Sequence, residues 1–240
     1  RGLGDVYKRQ GEDTKFNTEV RIRNIKGTYR WYRIVGILER NEFGANESFV
    51  GKIVNVDEEL SEEKELVQRS ENDMLTGVLN KKTMETRVSL MLKNRGDKYV
   101  IFYMVDLDNF KNVNDTLGHI YGDQAIVETA QCLNKVFANQ DCIGRLGGDE
   151  FAVCVSYQAF DEQGLLEFIG KKAQEICAGN RRTYTDNASS VSITSSIGVA
   201  YAPDMGDSFT ELYTQADCAL YYSKANGKDQ YHIYSPKDDN

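Results

Sequence analysis

The chain has no Cys-x-x-Cys pair and only two histidines, His119 and His232. Zinc sites draw their ligands from such spacings, so these absences argue against one. The five cysteines, Cys132, Cys142, Cys154, Cys177 and Cys218, are odd in number and show no paired spacing. They read as reduced, mostly buried thiols of a cytosolic protein, not as a disulfide framework. No apolar run approaches the ~20 residues of a membrane span. Basic charge is short as well: 29 Lys and Arg stand against 37 Asp and Glu, a net charge of −8. That argues against a nucleic-acid surface, which needs a basic stripe. A nucleotide, which needs only a local basic pocket, remains admissible. The length of 240 residues allows one or two domains, and an apolar fraction of 40% suffices for a core.

The most informative stretch is Arg145-Leu146-Gly147-Gly148-Asp149-Glu150-Phe151-Ala152-Val153. Two glycines allow a tight turn, because glycine takes positive φ without steric cost. Two carboxylates follow, and then an apolar strand runs from Phe151 to Val155. Taken alone, this is a solvated hairpin tip, the usual fate of a lone Gly-Gly-Asp-Glu. A second acidic cluster changes the balance. Tyr99–Val105 is a near-continuous apolar run ending in Asp106-Leu107-Asp108. Acids at the mouth of a buried strand are unfavourable without positive charge nearby. Two strands that bring carboxylates to one end of a sheet can build a hard-cation site.

Along the chain, residues 1–10 are set aside as a non-native scar, since Asp5–Gln10 looks like translated adapter sequence. Phe16–Asn24 alternates apolar and polar residues, Lys26-Gly27-Thr28 forms a turn, and Tyr29–Glu39 and Phe49–Asp57 supply two more strands. The segments Glu19-Val20-Arg21, Lys26–Trp31 and Gly51–Asp57 resemble the C-terminal half of a PAS sensor domain. An unrelated three-stranded meander is the alternative. Glu58–Asn72 is charged and free of Gly and Pro. Leu60, Val67 and Met74 recur every seven residues, which fits either a helix seam that pairs with a second copy or a solvated connector. Helices are expected at 82–93, 110–117, 121–137, 160–178 and 209–225, and strands at 99–106, 141–146, 150–155, 191–201 and 229–234. Residues 179–190 are expected to form a polar loop. This order suits an α+β domain: an antiparallel central sheet with helices on one side.

Five segments carry a family resemblance: Asp73–Asn80, Asp106–Asp123, Gly147–Phe151, Ser196–Ala200 and Ala216–Lys228. In this order and spacing they resemble the GGDEF diguanylate cyclases over residues 73 to about 235. The resemblance implies a ferredoxin-like, polymerase-palm type of core. It divides the chain into part of a PAS domain (11–57), a signalling helix (58–72) and a GGDEF domain (73–237).

The resemblance also implies roles. Asp106, the Leu107 carbonyl, Asp149 and Glu150 hold metal, expected as two Mg²⁺ or Mn²⁺ ions per site. Asp149 accepts the proton of the attacking 3′-hydroxyl, and Lys111 stabilises phosphate charge. Asn114 and Asp123 read guanine, His119 contacts substrate, and Lys224 and Lys228 grip phosphate. The family usually has Arg where Lys228 stands, and often where Lys81 stands. The implied reaction joins two GTP into cyclic di-GMP within a homodimer, under control of the PAS part. The family's product-inhibition motif Arg-x-x-Asp reads Ala138-Asn139-Gln140-Asp141 here, so feedback inhibition is expected to be weak or absent. The alternatives are an inert GGDEF scaffold or GTP-binding module, a cyclase that also accepts ATP, and a metal-dependent nucleotide-binding domain of another reaction. A cytoplasmic location is implied, with tethering to a membrane through a preceding region left open.

Overall fold

The computed structural model describes residues 15–40, 46–137 and 142–236. The expected scar therefore lies outside the described residues. The chain divides into two compact units, one through Gln68 and the other from Arg69 onward.

The first unit is an antiparallel sheet of β1 (Lys15–Arg23), β2 (Tyr29–Arg40) and β3 (Asn46–Asn55), in that order. Its first turn is built by Asn24, whose Oδ1 accepts the amides of Lys26 and Thr28, and Gly27 supplies a φ of +84°. Phe16, Val20, Ile34 and Ile53 share one face by register, and Phe16 meets Phe49 edge to face at 5.7 Å. Much of the sheet stays open: Ile53 is 60% and Val50 61% exposed. Three strands with so little burial have little stability of their own. Helix α1 (Asp57–Glu71) follows directly. Three acids in its first turn suit the positive end of a helix dipole. The third strand ends earlier than expected, because Asp57 serves the helix start and its carboxylate accepts the Trp31 amide at 2.6 Å. The seven-residue spacing does not make one seam. α1 ends at Glu71, and Met74 lies beyond it in a turn, 78% exposed. Asp73 makes that turn by accepting the amide and hydroxyl of Thr76.

The second unit is α+β. After β4 (Leu79–Asn80) come α2 (Lys81–Lys93), β5 (Tyr99–Asp108), α3 (Phe110–Leu117) and α4 (His119–Val136). The hairpin β6 (Cys142–Gly147) and β7 (Glu150–Tyr157) precedes α5 (Glu162–Asn180), β8 (Arg182–Thr185), β9 (Ser190–Ala202), α6 (Phe209–Ala225) and β10 (Tyr231–Ile233). The sheet order is β10-β9-β5-β7-β6-β4, with β8 pairing on β9. The sheet is mixed: β5, β6, β7 and β9 pair antiparallel, whereas β4–β6 and β10–β9 are parallel.

Helices on one side were expected, and both faces are covered. Ile101, Tyr103 and Val105 of β5 pack with Ile126 and Leu133 of α4 and Ile169 of α5. Val100, Phe102 and Met104 pack with Met84 and Val88 of α2 and Leu212 and Leu220 of α6. The physical reason lies in β5 itself, apolar at every position from Val100 to Val105. Such a run marks a strand buried on both faces, and each fully buried side chain contributes about 1.5–3 kcal/mol. The expected polar loop at 179–190 contains β8, whose Tyr184 is buried with Val191, Ile193 and Leu107 in a third cluster. Among the described residues no helix is long and apolar enough to cross a membrane.

Gly198 of β9 sits where α6 crosses the sheet. A Cβ there would overlap the Ala216 carbonyl and the Leu220 amide, which are backbone atoms and cannot swing away. Gly198→Ala is expected to lower stability by about 1–3 kcal/mol, read as a drop in the urea midpoint. An unchanged midpoint would contradict this packing.

Candidate active site

β5, buried on both faces, ends abruptly in charge. Asp106 is 7% exposed and lies directly opposite Glu150 in the β5–β7 register. Asp149 precedes Glu150 in the hairpin turn, where Gly148 takes a φ of +52°. Arg145 holds that turn closed, donating from Nε and Nη2 to the Gly148 carbonyl at 2.9 and 2.7 Å. Its Nη1 reaches Asp73 Oδ1 at 3.2 Å. Burial opposes ionisation of Asp73, but the Thr76 hydroxyl and amide and then Arg145 outweigh it and hold the carboxyl below its usual range.

Lys224, in the last turn of α6, lies with Nζ 2.8 Å from Asp106 Oδ2. Helix α6 is started by a capping box between Ser208 and Glu211. Burial, and to a lesser extent the charges of Asp149 and Glu150, raise the Asp106 carboxyl to about 6 against the pull of Lys224. Burial also raises Asp149, against its own backbone amide, Lys224 and Arg145. Among the described residues no three His, Cys, Asp or Glu groups converge tightly enough to hold a metal by themselves. The donor set still fits a hard cation. It consists of oxygen donors, of which burial raises the carboxyls of Asp106 and Asp149, with Lys224 on Asp106. Leu107 is buried between Asp106 and Asp108, in register with Ser195.

The other expected residues are distributed over α2, α3, α4 and the turn after α6. Asn114 of α3 packs against Gly122 of α4, where a Cβ would collide with the Asn114 amide group. Asp123 follows Gly122 and is exposed, as is His119 at the start of α4. The two helices thus bring Asn114 and the chain at Asp123 to one corner. Lys228 is exposed, and its Nζ donates to Asn109 Oδ1 at 3.2 Å. Lys111 lies exposed on α3, with no ion pair to the carboxylates among the described residues. Lys81 sits over the Tyr213 ring at 5.7 Å. Ala138 and Asp141, the expected remnant of a product site, lie outside the described residues. Sequence reasoning passed over Arg145 and Asp108 as site residues. The signal for Asp108 was present, since residues two apart on a strand share a face.

The sequence model described as "Diguanylate cyclase, GGDEF domain" matches residues 70–230. The chain belongs to the GGDEF diguanylate cyclase family. Among curated relatives of this GGDEF protein, the probable diguanylate cyclase DgcC of Escherichia coli is 32% identical over 72% of the chain and 46% of its own length. The bifunctional diguanylate cyclase/cyclic di-GMP phosphodiesterase MucR of Pseudomonas aeruginosa is 33% identical over 71% of the chain and 24% of its own length. The cyclic di-GMP phosphodiesterase PdeR of E. coli is 29% identical over 83% of the chain and 30% of its own length. The chain thus spans less than half of each of these relatives. The coiled coil and GGDEF domain of DgcB from Caulobacter crescentus, solved in complex with c-di-GMP, superposes with a TM-score of 0.65 at 28% identity. That match covers 73% of this chain and 92% of DgcB's. The GGDEF domain of PA1120 from P. aeruginosa gives 0.63 at 30% identity, covering 70% and 96%.

A carboxyl raised on folding binds its proton more tightly in the native state, so the stability it contributes falls as pH rises. For Asp106 the fall runs from the unfolded value of about 4 to about 6 and ends there, with a total of up to about 3 kcal/mol. Asp106→Asn lacks this slope. The Tm of the variant minus that of the parent should therefore climb between about pH 4 and 6 and level off above. A difference that is flat across this window would contradict the burial of an ionising Asp106.

Proposed function

We propose that this GGDEF domain is an active diguanylate cyclase that condenses two GTP into cyclic 3′,5′-di-GMP with release of two pyrophosphates. The observation that carries the reading is the β5–β7 register, in which Asp106 faces Glu150, with Asp149 beside it and Lys224 on Asp106. In each half-reaction the 3′-oxygen of one GTP bonds to the α-phosphorus of the other. The bond from that phosphorus to the bridging oxygen breaks, and pyrophosphate leaves. Asp149 takes the proton of the 3′-hydroxyl. Asp106, the Leu107 carbonyl, Asp149 and Glu150 would hold two Mg²⁺ or Mn²⁺ ions, which neutralise charge on the triphosphate and the transition state. Lys111, Lys224 and Lys228 add positive charge for the phosphates. Asn114 and Asp123 read the guanine base, and His119 contacts the substrate.

One GTP per subunit makes a homodimer necessary for turnover. The open three-stranded sheet followed by α1 supports reading residues 11–57 as part of a PAS sensor and 58–72 as the segment that carries its signal to the GGDEF domain at 73–237. Without the guanidinium of an Arg-x-x-Asp motif, product inhibition through Ala138–Asp141 is weak or absent. A second reading, a GGDEF module that binds GTP without turning it over, draws on the relative named as a phosphodiesterase.

The test is incubation of the full chain with GTP and Mg²⁺, with chromatography of the nucleotides. Cyclic di-GMP is expected from the parent, and at least about 100-fold less from Asp149→Ala, which lacks the base. Equal yields from both would overturn the role of Asp149. No product at protein concentrations that force dimers, with GTP binding retained, would replace the cyclase with the second reading.

A further inference from the structure

Three non-glycine residues among those described have positive φ: Asn109 at 63°, Lys228 at 63° and Asp229 at 49°. All three surround one buried carboxylate, Asp108, which is 3% exposed. Its Oδ1 accepts the Ser196 hydroxyl at 2.8 Å, and its Oδ2 accepts the Thr194 hydroxyl at 2.7 Å and the Asp229 amide at 3.1 Å. Asn109 follows Asp108 in the chain, and its side chain receives the Lys228 ammonium. Left-handed backbone is unfavourable for residues with a Cβ, and it persists where surrounding contacts over-determine it. At this turn the contacts are few and specific. Asp108 takes the Asp229 amide, Arg181 clasps the Asp229 carboxylate at 2.7 Å, and the Lys228 amide bonds the Ser223 carbonyl at 3.1 Å.

We propose that Asp108 is a positioning residue: its carboxylate clamps the strained 228–229 turn to the end of β5 and so sets where Lys228 presents its charge. This rests on the reading above that Lys228 grips the nucleotide phosphates. Asp106 and Asp108 share a face of β5, two residues apart. The first serves the reacting end of the site, and the second fixes the turn that carries its cation. One strand end therefore sets both carboxylate and ammonium in a common frame. Loss of the clamp frees the Asp229 amide and lets residues 228 and 229 return to ordinary negative φ. Lys228 then leaves Asn109.

The test is the Kd of the full chain for a non-hydrolysable GTP analogue with Mg²⁺, which can be read without turnover. Asp108→Ala should weaken binding about tenfold or more, the scale of a lost charge-assisted contact. In a Lys228→Met background the same change should add less than about twofold, because the two act through one contact. Asp108→Asn should bind within about twofold of the parent. Its carbonyl can accept from Thr194 and Asp229, and its amide can donate to the Ser196 oxygen, which accepts as readily as it donates. Should Asp108→Ala not fold, Asp108→Glu keeps the charge, displaces it by one methylene and should show the same loss and the same dependence on Lys228. A folded variant with unchanged Kd, or losses that multiply with Lys228→Met, overturns the inference. Lys228→Met alone tests the reading beneath it. If that variant binds like the parent, the phosphate role of Lys228 fails and the inference with it. If it weakens binding and Asp108→Ala does not, the inference alone fails.

Discussion

The structure depends on one constraint: a strand buried on both faces ends in carboxylates that must be accommodated. β5 is apolar from Val100 to Val105, is covered by two helices on each side, and then places Asp106 and Asp108 inside the protein. An unpaired buried charge is among the most unfavourable features a fold can hold. The two acids resolve it differently. Asp108 is satisfied internally by two hydroxyls and an amide. Asp106 is not: burial, with Glu150 opposite and Asp149 near, holds its carboxyl high against the pull of a single ammonium. One acid thereby belongs to the scaffold, and the other is left with a single ammonium as its partner.

The hairpin shows the same economy of contacts. Its glycines allow the turn, but Arg145 closes it, with one guanidinium bonding the Gly148 carbonyl and the carboxylate of Asp73. The position of Asp149 and Glu150 is thus set by the antiparallel ladder on one side and by an ion pair to the start of the unit on the other. Exposed ion pairs contribute little, yet this pair is largely shielded, and its partners are further bonded to Thr76 and to the turn.

Local pattern in the sequence was enough to locate most elements. The apolar run of β5, the helix at Phe209–Ala225 and the two acidic clusters were legible because each is written within a few consecutive residues. What depends on distant pairs was not. Asp73 and Arg145 are 72 residues apart, and Asp108 and Asp229 are 121 apart. No period or motif announces either contact. The unbroken apolar run implies helices on both faces, whereas the order of strands and helices suits cover on one side. β8 escaped because its threonines and arginine read as loop until the long β9 supplies an edge for them to pair with. Met74 matched a seven-residue spacing that the helix does not sustain, because Asp73 turns the chain first.

The central claim is that the carboxylates brought together by the β5–β7 register form the cation-binding end of a nucleotide site. The most direct measurement is the titration of Mn²⁺, followed by electron paramagnetic resonance, into the full chain with a non-hydrolysable GTP analogue, for the parent, Asp106→Asn and Glu150→Gln. The account predicts protein-dependent Mn²⁺ binding in the parent, weakened at least about tenfold by either substitution, since each removes a charged ligand. Mn²⁺ affinity that is the same in all three proteins would contradict it.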